Sequence, residues 1–305
     1  MTLRHALRQA IAELTAAQVP SASTAAEVLL MHVLDGDRAF LYAHPEAELS
    51  LEQERAYRLL LERRAAGTPT QYLTGRQEFW GMSFQVEPGV FIPRPETEHV
   101  IETTLAIVRE RLMKPNARIV DVGTGTGCIA LALASELPQA EIFATDISEQ
   151  ALAVARRNAE ALALTSRVQL LHSDLLDAFF SPHRSPVAGR WSPDVVVSNP
   201  PYVSPEEADH LPREVREHEP AEALFSPDEG LAVTRRLVEQ AAKLLAPVGW
   251  LVLELGYQMS ERVQALLGAG WTKVEITPDL RGIPRVLSAQ WIGTMDEHIS
   301  SPHIP

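Results

Sequence analysis

Leu3, Leu7, Ile11 and Leu14 recur at intervals of three and four, the spacing that lines side chains along one stripe of a helix. Thr24 and Glu27 precede the apolar run Val28-Leu29-Leu30-Met31 and read as a capping box, with Gly36 as a plausible stop. A third long helix is predicted from about Leu51 to Ala66, with Tyr57, Leu60 and Leu61 on its apolar side. Residues 1–66 therefore read as a helical domain. The pattern changes between Gly67 and Gly89. Two short β-like runs, Gln71-Tyr72-Leu73 and Ser83-Phe84-Gln85-Val86, alternate with Gly75, Gly81 and Pro88. This predicts a β-hairpin linker over residues 67–92.

From about Pro95 strands and helices alternate. Apolar runs predict strands near 118–122, 141–145, 167–171, 194–198 and 249–254, and helices near 96–113, 127–136, 149–162 and 230–246. Such alternation predicts an α/β domain with a parallel, doubly wound sheet and a ligand site at the strand carboxyl ends. Trp271–Thr277 and Val286–Trp291, joined by the Gly282-Ile283-Pro284 turn, read as a closing antiparallel pair. The domain spans 93–292. Ser181–Trp191 reads as a polar, Pro-rich inserted loop, residues 293–305 as a disordered tail, and no internal repeat is present.

Composition narrows the classes. A 46% hydrophobic content over 305 residues is ordinary for a globular chain with a sizeable core. The net charge of −13 leaves no electrostatic footprint for gripping nucleic acid. A single cysteine, Cys128, allows no intramolecular disulfide and fits a reducing cytoplasm; its place just inside a helix marks it as a packing residue. Met1–Ala12 carries Arg4 and Arg8 at helical spacing, unlike a secretory signal. No apolar stretch reaches the roughly 18 residues of a membrane span.

Two motifs carry the chemistry. The first is Asp121-Val122-Gly123-Thr124-Gly125-Thr126-Gly127-Cys128-Ile129-Ala130, a strand, a glycine turn and a helix start. Glycines let a ligand approach the backbone, and the helix start offers N–H groups. Asp146 follows the next strand, where an acid can hold two ribose hydroxyls. This turn also fits the dinucleotide G-x-G-x-x-A pattern, so by itself it does not separate a nicotinamide cofactor from S-adenosylmethionine. The second is Asn199-Pro200-Pro201-Tyr202, after the buried run Val195-Val196-Val197. Two prolines hold the Asn rigidly, so the Asn side-chain oxygen and a bare backbone carbonyl can accept both hydrogens of an NH2 group. The Tyr ring can pack on the planar group that carries it.

Together these motifs resemble the S-adenosylmethionine-dependent amino-methyltransferases. Phe91-Ile92-Pro93-Arg94-Pro95-Glu96-Thr97-Glu98, Gly67–Gly75, His218-Glu219-Pro220, Asp228–Leu231 and Glu254–Gln258 narrow the likeness. From about residue 3 to about residue 291 the chain resembles the bacterial protein-(glutamine-N5) methyltransferase family, which acts on release factors.

The resemblance implies a class I S-adenosylmethionine-dependent methyltransferase fold: a Rossmann-like sheet with an antiparallel end, plus a small N-terminal helical domain that docks the protein substrate. It implies transfer to the glutamine of the Gly-Gly-Gln loop of class I peptide chain release factors, with S-adenosylhomocysteine as the other product. Asn199, Pro200 and Tyr202 take the catalytic role, and Pro201 and Phe91 complete the substrate pocket. Gly123, Thr124, Gly125, Thr126, Gly127, Asp146, Leu175 and Asn199 face the cofactor. Leu175 departs from the family, where an aromatic often packs near the adenine, so apolar contact is expected there. Asp121 orders the glycine turn or reaches the methionine amine, and Arg94 pairs with Glu96, Glu98 or the cofactor carboxylate. Asp209-His210 and Glu217-His218 are expected in exposed loops. The histidines lack the clustered spacing of a zinc site, so neither a metal nor a covalent intermediate is expected. The competing readings are the same fold acting on a ribosomal-protein glutamine or a nucleobase amino group, a nicotinamide-dependent oxidoreductase, and a non-catalytic binding module.

Overall fold

Apolar runs too short to bury themselves must be paired and covered, and the chain does this in two separate ways. A computed structural model describes residues 1–180 and 191–293. The expectations for the 181–191 loop and the 293–305 tail fall on 181–190 and 294–305, outside the described residues. The described chain divides into two compact units.

The helical unit comprises Met1–Arg76, Val86–Pro88 and His210–Glu219. Its helices are α1 (Leu3–Ala16), α2 (Ala22–Leu34), α3 (Arg38–Ala43), α4 (Leu51–Ala65) and α5 (Thr70–Thr74). Leu3, Ala6, Ala10 and Leu14 of α1 pack with Leu29 and Leu30 of α2 and with Tyr57 and Leu61 of α4. The buried Tyr57 hydroxyl donates to the Ala26 carbonyl at 2.9 Å, which satisfies that polar atom in an apolar setting.

Two sequence expectations are corrected in this unit. Thr24 and Glu27 do not cap α2, because the helix already begins at Ala22. Glu27 is instead buried, accepting from the Tyr42 hydroxyl at 2.6 Å and pairing with Arg38 at 3.0 Å. The capping box belongs to α4, where Ser50 and Gln53 satisfy each other's backbone N–H groups at 2.9 and 3.1 Å. Gln71-Tyr72-Leu73 is not a strand but the centre of α5. Pro69 starts that turn of helix, and Gly75 ends it in the left-handed region at φ 71°, donating to Gln71 O at 2.8 Å.

The sheet unit comprises the described residues of Gln77–Gln85, Gly89–Asp209 and Pro220–Pro305. The hairpin strands β1 (Arg76–Phe79) and β2 (Met82–Gln85) turn at Trp80-Gly81, both with positive φ, the backbone whose twist matches a two-residue hairpin. A 3-10 turn over Pro95–Thr97 leads into α6 (Glu98–Ala106), which widens into a π turn over Ile107–Leu112. Then follow β3 (Arg118–Val122), α7 (Cys128–Glu136), β4 (Glu141–Asp146), α8 (Glu149–Ala161), β5 (Val168–His172), α9 (Asp177–Phe180) and β6 (Val195–Ser198). After β6 the chain forms α10 (Arg213–His218), α11 (Ala221–Leu224), α12 (Pro227–Gly230) and α13 (Ala232–Leu244). It closes with β7 (Trp250–Glu254), α14 (Ser260–Gln264), β8 (Trp271–Pro278) and β9 (Pro284–Trp291).

Of these elements α10 belongs to the helical unit, so Glu217 and His218 lie in a helix rather than in a loop. The buried guanidinium of Arg64 ties α10 to α4 by pairing with Glu214, and donates to Thr68 O at 3.2 Å. Asp209 and His210 are exposed, at the end of the 3-10 turn Pro205–His210.

The seven-stranded sheet has the order β5-β4-β3-β6-β7-β9-β8. The first five are parallel, while β9 is antiparallel to both β7 and β8. Both faces of β3, β6 and β7 are buried, which is why these strands read as unbroken apolar runs. One face packs Ile119, Ile142, Val195 and Val197 with α6 and α7; the other packs Val120, Phe143, Val196 and Leu251 with α13. The order reverses between β3 and β6, and their carboxyl ends open the crevice where such sheets bind ligands.

Asn158 of α8 is fully buried and joins the hairpin to the glycine turn. It accepts from Gln85 N at 2.7 Å, and its amide donates to Gln85 O at 3.1 Å and to Thr126 O at 2.9 Å. Asn158→Ala orphans one buried N–H and two carbonyls, so it is expected to lower stability by about 1–3 kcal/mol. Urea denaturation of the two full-length proteins measures the difference; equal midpoints would show that the network contributes nothing.

Candidate active site

The glycine turn is built around a buried acid. Asp121, next to last in β3, is fully enclosed, and its Oδ2 accepts from the Thr124 hydroxyl at 2.6 Å and from Ala130 N at 3.1 Å. One carboxyl oxygen thus clamps both ends of the turn, while Oδ1 has no partner. Burial pushes the carboxyl up to about 7, against the two hydrogen bonds that favour its ionised form. Gly123 and Gly125 have positive φ and open space where a side chain would stand. Gly127 differs from them. A Cβ there would meet Leu131 at 3.1 Å and Ala155 at 3.2 Å, so its bareness lets α7 pack against α8.

Asp146 closes the next strand. Its oxygens accept from Gly125 N at 2.8 Å and Ser148 N at 2.9 Å, which aims the carboxylate across the turn. Burial raises its pKa, and the N–H bonds from Ser148 and Gly125 oppose that. Leu175 holds a left-handed backbone at φ 51° and is half-buried, presenting an aliphatic side chain to the same crevice.

A cavity of about 550 Å³ gathers these groups. Its walls include Gly123, Thr124, Gly125, Thr126, Asp146 and Leu175 together with Phe91, Asn199, Pro200, Pro201 and Tyr202. Gly127 does not line it, nor do Asp121 and Arg94, the two residues given an alternative role at the cofactor. Sequence reasoning passed over Thr97, Ile147, Ser173 and Asp174, which also line it. Ile147, Ser173 and Asp174 follow directly on strand ends, and that position was their available signal.

Asn199 sits one residue beyond β6, whose last residue, Ser198, donates its hydroxyl to Val122 O at 2.7 Å. This pins the end of β6 to the end of β3. The Asn199 amide nitrogen donates to Thr97 Oγ1 at 3.2 Å, leaving its oxygen available to the cavity. Arg94 stacks its guanidinium over the Phe91 ring at 4.8 Å, and Glu98 accepts from Trp80 N at 2.8 Å. Glu96 faces Arg285 at 3.8 Å.

Tyr202 needs two glycines. A Cβ on Gly256 would stand 2.6 Å from its ring, and one on Gly230 would stand 2.2 Å from its carbonyl oxygen. Burial raises the Tyr202 phenol, the nearby Glu254 carboxyl adding to it, so the ring carries a neutral hydroxyl. Cys128 is buried at the start of α7, and burial pushes its thiol up to about 12; it packs rather than reacts. Among the described residues no group of three His, Cys, Asp or Glu is placed to hold a metal ion, and no helix is long and apolar enough to cross a membrane.

A mostly parallel sheet with β9 inserted antiparallel between β7 and β8, and a glycine-turn cavity at its switch point, defines a class I methyltransferase. This is not the all-parallel sheet of a nicotinamide-dependent oxidoreductase. Residues 5–75 match the family described as PrmC N-terminal domain, and residues 81–214 match the Methyltransferase small domain. A release factor glutamine methyltransferase of Koribacter versatilis is 43% identical over 94% of this chain and 98% of its own. One of Escherichia coli is 41% identical over the same shares. The hMettl16 catalytic domain, solved with a MAT2A 3′UTR hairpin, shares the fold at a TM-score of 0.51 and 17% identity, covering 80% of this chain and 84% of its own. The chain belongs to the release factor glutamine methyltransferase family.

Gly230 has φ 86°, a conformation that costs an L side chain roughly 1–2 kcal/mol before any clash is counted. Gly230→Ala is expected to lose at least about that much stability and to displace the Tyr202 backbone. Denaturant titration tests the first part, and an unchanged midpoint would show that the loop relaxes freely.

Proposed function

We propose that the cavity binds S-adenosylmethionine and that the protein methylates the side-chain amide nitrogen of the glutamine in the Gly-Gly-Gln loop of class I release factors. The observation that carries this reading is the orientation of Asn199. Its NH2 is engaged by Thr97, so its oxygen is the atom free to receive a substrate N–H. The residues present fit the cofactor. Open glycines at 123 and 125 and an acid at Asp146 in the cavity wall offer the surface and the acceptor that a ribose requires.

When bound, S-adenosylmethionine supplies an electrophilic methyl group on a positively charged sulfur. A glutamine amide is a poor nucleophile, because its nitrogen lone pair is delocalised into the carbonyl. Asn199 Oδ1 and the Pro200 carbonyl accept its two N–H bonds and fix the nitrogen in the cavity. As positive charge develops on that nitrogen, both acceptors interact with it more strongly than with the ground state, which lowers the barrier. Tyr202 and Phe91 pack the faces of the planar amide. The proline-fixed backbone needs no rearrangement at the moment of reaction.

The helical unit is read as the docking surface for the folded substrate. A second contact away from the cavity would add affinity and aim the glutamine loop. The acidic chain, with a net charge of −13, favours a protein substrate over a nucleic acid, and substrates of this kind place the enzyme in the cytoplasm.

The direct test is incubation of the full chain with labelled S-adenosylmethionine and a release factor, followed by mass mapping. Label on the Gly-Gly-Gln glutamine is expected; label elsewhere or none would overturn the reading. Asn199→Ala removes one acceptor and is expected to lower turnover by on the order of 10²-fold or more, a far larger loss than that of cofactor binding. Asp146→Ala is expected to weaken S-adenosylmethionine by roughly 1–3 kcal/mol in calorimetry. Wild-type affinity in that variant would place the ribose contact elsewhere.

A further inference from the structure

Glu254 ends β7 directly beside Asn199, because β6 and β7 run parallel with Ser198 opposite Leu253. It is a buried acid, 5% exposed, and its Oε2 has no hydrogen-bond partner. Its side-chain hydrogen-bond partner is Thr97. Thr97, 2% exposed, is the residue that receives the Asn199 amide hydrogen at 3.2 Å. A three-residue line therefore runs from a buried carboxyl behind the cavity wall, through Thr97, to the substrate acceptor.

The logic lies in the hydroxyl. A threonine side chain has one hydrogen to give and two lone pairs to receive with. When Glu254 is ionised it takes that hydrogen, so Thr97 faces Asn199 as an acceptor only. An acceptor-only neighbour admits the amide NH2 and rejects the amide oxygen. When Glu254 is neutral it can give its own hydrogen to Thr97. The threonine hydrogen is then released towards Asn199, and either face of the amide fits.

We propose that Glu254 and Thr97 are positioning residues, which through one shared hydroxyl hydrogen lock the Asn199 amide with its oxygen facing the substrate. The proposal rests on the reading of Asn199 as the amide acceptor.

The groups around Glu254 set when the lock holds. Burial raises its carboxyl to about 7, opposed by the Thr97 hydrogen bond. Glu96 adds to the rise, while Arg285 of β9 and Arg94 favour the ionised form. Arg285 is shared with Asp279 at 3.0 Å and Glu96 at 3.8 Å. Tyr202 and the Cys128 thiol, the other groups influenced by Glu254, are neutral in this range. Because the locking form is the ionised one, the lock is present above about pH 7 and is lost as pH falls through that value.

The test follows the Asn199 side-chain amide in the full chain with isotope-labelled asparagine, its signals identified by their loss in Asn199→Ala. In the wild type they are expected to shift in one step centred near 7 between about pH 5.5 and about pH 8.5. Glu254→Gln, of the same shape, is expected to abolish that step. Asp121, also near 7, titrates in both proteins, so the difference between them reports Glu254. A pH-independent Asn199 signal in the wild type, or an unchanged step in Glu254→Gln, overturns the lock. No substrate is needed, so this outcome is separate from failure of the proposed function, which absent transfer by the wild type would show.

Kinetics give the second arm. Thr97→Val keeps the shape and removes the hydroxyl. It is expected to lower kcat at least about tenfold, with the KM for S-adenosylmethionine within about twofold, as for a misaligned acceptor. Thr97→Ser, which keeps the hydroxyl, is expected to recover most of that loss. Wild-type kcat in Thr97→Val overturns the proposal even if Glu254→Gln fails to fold.

Discussion

An amide side chain can be turned over with almost no change of shape, yet only one of its two faces can receive a hydrogen. Everything at the mouth of this cavity depends on Asn199 being held one way round. The strand before it is pinned by the Ser198 hydroxyl to β3, and the two prolines after it remove backbone freedom. Thr97 occupies the amide nitrogen. Tyr202 reaches its place only because Gly230 and Gly256 carry no side chain. Thr97, Gly230 and Gly256 come from other parts of the chain than Ser198–Tyr202, and together these groups leave the Asn199 oxygen facing the cavity. An acceptor held in this way needs no reorientation to receive a donor.

The same region concentrates acids where water is scarce. Asp121, Asp146 and Glu254 all have raised pKa values, and burial is the first cause in each. A buried carboxyl is tolerated when its oxygens have work that a neutral residue cannot do. Asp121 gathers Thr124 and Ala130 on one oxygen and so closes the glycine turn. Asp146 draws Gly125 and Ser148 towards the same point from the neighbouring strand. Glu254 stands behind Thr97 rather than in the cavity wall. The turn in its place also depends on α8, because Asn158 ties Thr126 to the hairpin backbone at Gln85.

Much of this was open to inspection along the chain. Strands buried on both faces appear as apolar runs, so β3, β4, β6 and β7 could be placed within a residue or two. The glycine turn and Asn199-Pro200-Pro201-Tyr202 are contiguous, and contiguous motifs survive without tertiary information. Local patterns failed where two structures fit the same letters. Thr24 and Glu27 have capping-box spacing, but α2 begins before them and Glu27 turns inward to Tyr42 and Arg38. Gln71-Tyr72-Leu73 has strand-forming residues, but Pro69 and Gly75 bracket a single helical turn. Glu217 and His218 look like loop residues until Glu214, in the same segment, meets the buried Arg64 some 150 positions earlier.

Read alone, the chain determined its class: an α/β sheet with a glycine turn after its first parallel strand and an Asn-Pro-Pro-Tyr corner after its fourth. These features depend on periodicity and on neighbours in sequence, which a linear string records. Only the tertiary structure decided that Gly127 serves helix packing rather than the cavity wall, and that Thr97 is the partner of Asn199. It also set Glu254 beside Asn199, through the register of β6 against β7. Those pairings join residues far apart in the chain, and nothing in local spacing encodes which distant side chains will meet once the sheet has brought its strand ends together.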